Sequence, residues 1–136
     1  MQKNIKSWLD NSVPKLRILF FIYFALLTWL LVKPSLGAIE QDFLYLPLFN
    51  DKVAHTGTFG LLTILGIFAF PRVQKLWLVL IFTLYGVIIE YIQREVGRDF
   101  DYFDMLADFI GCALGAVFIW ILLGKASTKN HLKIED

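Results

Sequence analysis

Three short stretches of this chain concentrate side chains that can carry charge, move protons or hold a cation. The first is Asp51-Lys52-Val53-Ala54-His55. Asp51 and His55 are four apart and share one face of a helix, and a carboxylate there orients an imidazole and raises its pKa. The second is Glu90 with Gln93, again on one helical face. Glu90 follows fourteen uncharged residues, Leu76 to Ile89, and a carboxylate that far into an apolar block is costly unless it faces a partner or a wet cavity. The third is Arg98 followed by Asp101, Asp104 and Asp108, the acids at i, i+3 and i+7, with Gly111 and Gly115 continuing the same stripe. Capping and the helix dipole account for Asp51, Asp101 and Asp104 at helix starts. They do not account for Asp108, a turn deeper.

Two kinds of chemistry suit these residue types. Acting as an enzyme site, His55 or Glu90 would be the general base, and Arg98 with Lys52 would hold a phosphate. Glu90, Asp104 and Asp108 are the carboxylates that could then take a divalent cation. Acting as a binding site, the same mixed-sign cluster would receive a polar headgroup. No serine or cysteine stands near the cluster and no metal-ligand spacing is strong, so neither a resident metal nor a cofactor is expected. The structural alternative makes the cluster a salt-bridge clasp that only holds helices together.

The surrounding sequence must be able to place such groups. The chain has 136 residues, 57% of them hydrophobic, with a mean hydropathy of +0.62. Soluble domains are about 45–50% apolar, and the excess here falls into four blocks separated by charged segments, the layout a bilayer demands. The reading is an all-α membrane protein, a four-transmembrane-helix bundle with helices at about 18–33, 53–70, 76–93 and 104–123. Residues 1–17 form a basic arm and 125–136 a polar, frayed tail around the 18–124 transmembrane domain. The first block, Ile18 to Val32, has fifteen residues, short against the ~20 of a typical span. Extension toward Leu36 would require a kink at Pro34. A cleaved signal sequence ending near Ser35-Leu36-Gly37 is the alternative, with residues 1–17 as an unusually long charged region. Residues 34–50 read as an interfacial loop with aromatic anchors around Phe43-Leu44-Tyr45-Leu46. The formal net charge of +1 offers no basic field for nucleic acid. Cys112, the single cysteine, can form no intrachain disulfide.

Lys and Arg set orientation. Nine of them lie in the arm, the second connection and the tail, against four (Lys33, Lys52, Arg94 and Arg98) on the other side. That asymmetry places both termini in the cytoplasm. Nine of the twelve acids belong to the outer half, so all three stretches converge on the outer face.

The blocks Asp51-Lys52-x-x-His55-x-x-x-Phe59, Glu90-x-x-Gln93 and Arg98-x-x-Asp101-x-x-Asp104-x-x-x-Asp108-x-x-Gly111-x-x-x-Gly115 resemble, in order, the VanZ-like membrane proteins. The resemblance covers roughly residues 45–120. Where the family pattern often shows asparagine, this chain carries Asp108. The resemblance implies four helices and, through the family's named member, a link to reduced teicoplanin susceptibility. It supplies no established reaction. The expected location is the bacterial inner (cytoplasmic) membrane, multi-pass. The expected partners are membrane lipids, a lipid-linked envelope precursor or an amphiphilic glycopeptide antibiotic; oligomeric state is not legible. The Gly111-x-x-x-Gly115 pair is expected to pack a helix closely against its neighbour.

Overall fold

A computed structural model describes residues 2–33, 51–97 and 100–132, with side chains described for 12–33, 52–97 and 100–123. The described residues form four helices: α1 (Gln2–Val32), α2 (Asp51–Ala69), α3 (Lys75–Glu95) and α4 (Tyr102–Leu132). Each contains a segment long and apolar enough to cross a membrane: Ser12–Val32, Lys52–Ala69, Lys75–Glu95 and Tyr102–Leu123.

Two helices run further than the sequence reading placed them. The arm and the first apolar block are one helix, continuous through Pro14. The fifteen-residue block gains its missing length on its amino-terminal side, reaching 21 residues from Ser12, which is enough to span. Arg17 inside that extension is satisfied, because its Nε donates to the carbonyl of Ala69 at the end of α2 (3.1 Å) and its guanidinium lies over the Phe70 ring. Lys and Arg side chains suit helix C-termini in this way. The tail, expected to fray from Lys125, is helical to Leu132, and residues 125–132 hold no proline to stop it. The loop read at 34–50 lies outside the described residues, as do Asn50, Arg98 and Asp99.

The connections have local causes. Between α2 and α3, Pro71 sits in a turn closed by the Val73 N–H bonded to the Phe70 carbonyl at 3.0 Å, and proline presets the φ that position needs. α3 ends because Gly97 adopts φ +81°, where its N–H reaches the Arg94 carbonyl (3.3 Å) while that of Val96 reaches Ile92 (3.1 Å). Glycine takes this left-handed turn without a Cβ penalty. Asp101 caps α4, its Oδ1 accepting the N–H of Phe103 at 2.8 Å.

α2 packs chiefly on α4, α3 flanks α4, and α1 lies against α2 and α3. The interior holds Phe20 and Leu27 of α1, Phe59 and Leu62 of α2, Phe82 and Ile89 of α3, and Cys112 and Ile119 of α4. Two hydroxyl bonds tie α1 in: Tyr23 Oη donates to the Thr58 carbonyl (2.9 Å), and the Thr28 and Tyr85 hydroxyls pair at 2.8 Å. The periphery is apolar. Trp29, Trp77, Phe103, Leu114 and Trp120 are all exposed, a surface that suits hydrocarbon and not water.

The α2–α4 contact depends on absent side chains. A Cβ on Gly115 would stand 2.5 Å from the Gly60 carbonyl oxygen, and one on Gly111 would collide with the backbone of Thr56. The two helices therefore touch backbone to backbone, the close approach expected from the Gly111–Gly115 spacing.

Candidate functional site

At the end of the bundle where α2 and α4 begin and α3 finishes, six ionisable side chains from those helices and the start of α4 gather. They are Lys52, His55, Glu90, Asp101, Asp104 and Asp108. Helix geometry, at 1.5 Å per residue, puts Asp108 roughly 9 Å along α4 and Glu90 roughly 7.5 Å from the end of α3. The cluster is therefore one to two turns deep. Glu90 and Asp108 are 0% and 1% exposed, and His55 and Asp104 are buried with them.

The contacts divide the site into a rim and a floor. At the rim, Lys52 Nζ bonds Asp101 Oδ2 at 2.5 Å and also Asp104 Oδ1, with the Lys52 and Asp101 side chains about a third exposed. The Lys52 bond, with the Phe103 N–H, holds the Asp101 carboxyl below the usual carboxylate range. On the floor, His55 Nδ1 meets Asp108 Oδ1 at 2.8 Å, and Phe59 lies parallel to the imidazole. Glu90 Oε2 accepts the Asp101 N–H at 3.2 Å, while its Oε1 is buried without a hydrogen-bond partner. One ligand-type atom each from His55, Glu90 and Asp104 lies within 4.8 Å of the others.

The sequence-selected residues separate accordingly. Lys52, His55, Glu90, Asp101, Asp104 and Asp108 come together. Gln93, read as a companion of Glu90, instead donates through Nε2 to the Leu31 carbonyl at 2.9 Å and fastens the end of α1 to α3. Among the described side chains, Asp108 holds the His55 imidazole from across the helix interface. Asp51 begins α2, but its side chain is outside the described set, and so is Arg98. Gly111 and Gly115 serve the α2–α4 contact.

Two residues at the site escaped the sequence reading. Gly86, one turn before Glu90 on α3, leaves the space that Asp108 fills: a Cβ there would stand 2.5 Å from Asp108 Oδ2. Its i, i+4 relation to Glu90 was the available signal. Gly60, the α2 counterpart of Gly115, is recognised only from the docked helices, where its carbonyl meets Gly115.

Chemically, the arrangement offers an imidazole oriented by a buried carboxylate, a second carboxylate with one oxygen uncommitted, and a lysine bridging two acids. Among the described residues the cluster holds four carboxylates, one lysine and one histidine. No family model, curated protein or solved structure matches the chain.

Proposed function

We propose that the chain is a VanZ-like protein of the bacterial inner membrane, crossing it four times with both termini in the cytoplasm. Its polar cluster, at the outer end, binds the head of an amphiphile: a lipid headgroup, a lipid-linked envelope precursor or an amphiphilic glycopeptide. One observation carries this reading. Six ionisable groups turn toward one another inside a bundle with an apolar periphery, and one of them, Glu90, keeps an oxygen unsatisfied although it is wholly buried. Burying charge is expensive in any structure and more so in a membrane. A pure clasp would spend every polar atom on an internal partner; an uncommitted buried carboxylate oxygen suits a ligand.

The test uses purified protein in detergent with a polyprenyl diphosphate, read by native mass spectrometry, alongside glycopeptide susceptibility of cells carrying the gene. Glu90→Gln can keep the bond to the Asp101 N–H through its amide oxygen while losing the charge. It should fold in normal yield, lose the bound lipid and abolish any susceptibility effect. A folded Glu90→Gln that retains the lipid and the susceptibility effect as the unaltered protein does would overturn the reading.

A second reading, an intramembrane enzyme acting on a lipid-linked substrate, draws support from the His55–Asp108 bond. A histidine held at Nδ1 by a buried carboxylate is oriented as a general base. Turnover of an envelope lipid by the purified protein, lost in His55→Gln, separates this from simple binding.

A further inference from the structure

We propose that His55, Glu90 and Asp104 form a binding site for one divalent transition-metal ion, with zinc the first to test. The donor set is one imidazole and two carboxylates, a combination that zinc accepts. Two ligands each about 2.1 Å from an ion lie roughly 3.4–4.2 Å apart, and the 4.8 Å within which these atoms fall closes to that by small side-chain rotations.

Two features point at an ion. Glu90 Oε1 is buried without a hydrogen-bond partner, and its sister oxygen is fixed by the Asp101 N–H; the carboxylate is oriented and one oxygen is available. Asp108 holds His55 at Nδ1, and the proposed ion takes the ring's other nitrogen, Nε2. This is the carboxylate–histidine–metal arrangement in which the outer carboxylate fixes the tautomer and makes the ring a better ligand. Asp104 can serve the ion and Lys52 together, because an ionised carboxylate has lone pairs on both oxygens.

Three protein ligands leave a coordination position open. An oxygen of an anionic head could occupy it, which is how an acidic cluster would hold a phosphate that its own side chains repel. The site itself does not depend on the headgroup reading, since metal uptake is measured in detergent without added lipid.

The experiment takes the full chain, purified without a polyhistidine tag, stripped with a chelator and titrated with Zn²⁺, then with Co²⁺ as a spectroscopic substitute. About one equivalent should bind, with a visible Co²⁺ absorption band. Glu90→Gln and His55→Gln should lose both signals. His131→Gln, at the far end of α4 and the chain's other histidine, should keep both. Asp108→Asn should retain the stoichiometry and weaken affinity about 10–100-fold. Failure of the unaltered protein to take up one equivalent overturns the proposal whether or not the variants fold, and so does undiminished uptake by folded Glu90→Gln. Metal uptake without lipid retention would defeat the headgroup reading and leave the metal site standing.

Discussion

Asp108 shows how a single position can be read as unusual before its neighbours are known. A carboxylate a turn and a half into an apolar helix demands a partner, and that demand is visible in the sequence. Which partner it finds depends on how α2 and α4 are set against each other, and on Gly86 of α3 clearing the space beside it. Spacing along one helix puts Asp51 and His55 on one face; packing between helices brings Asp108 to the same imidazole at 2.8 Å. Glu90 was legible for the same reason as Asp108, a charge where hydrocarbon-like residues surround it. The role of Gly86 was not, because a glycine's use lies in what approaches it from another helix. Gly86→Ala should therefore act at a distance in sequence. The added methyl forces the Asp108 carboxylate to shift, and the His55 ring loses its fixed tautomer. Nitrogen-15 NMR of His55 in detergent should report the change, as altered ring-nitrogen shifts with the helical content retained. Unaltered His55 signals would mean that the Asp108–His55 bond does not depend on the room Gly86 leaves.

The four helices were legible from hydrophobic blocks, since a span needs a long uninterrupted apolar run and this chain has four. Their ends were less so. α3 stops at Gly97 through a left-handed turn, and α1 proceeds through Pro14, a residue that ends many helices in water. The glycine pair of α4 was readable as a contact surface, yet its opposite face, Gly60 and the Thr56 backbone on α2, emerges only when the helices are docked. That docking makes a graded prediction. Gly111→Leu or Gly115→Leu drives a large side chain into the α2 backbone and should cost at least about 1–3 kcal/mol, the range for overpacked contacts, seen as a lower unfolding temperature in detergent. Gly57 lies on the same helix as Gly60, but a Cβ added there meets nothing within 4 Å. Gly57→Ala should leave stability unchanged or raise it by up to ~1 kcal/mol, the helix-propensity difference between the two residues. Equal effects at Gly57 and Gly111 would mean that α2 and α4 do not meet through their glycines.

The molecule carries its acidic cluster at one end of an apolar waist, and its charges favour one way of lying in a bilayer. In the proposed arrangement the four apolar helices each cross, which returns the chain to its starting side and gives both termini one compartment. The arm, the α2–α3 connection and the tail hold nine of the thirteen Lys and Arg residues, and cytoplasmic segments carry that excess. In the proposed orientation the acids of the cluster face outward, where they would meet lipid heads and solutes from outside the cell. Single cysteines introduced at Glu40, Asp99, Lys75 and Lys129 report the arrangement directly when intact cells are treated with an impermeant thiol reagent. Cys112 is fully buried and contributes little background, and Cys112→Ala removes it altogether. Thiols at positions 40 and 99 should label in intact cells. Those at 75 and 129 should label only after the membrane is opened. The reverse pattern would turn the molecule over, placing the acidic cluster in the cytoplasm and removing extracellular amphiphiles from its reach. Labelling at 99 and 129 from the same side would break the four-span count itself, because those two positions flank the single crossing made by α4.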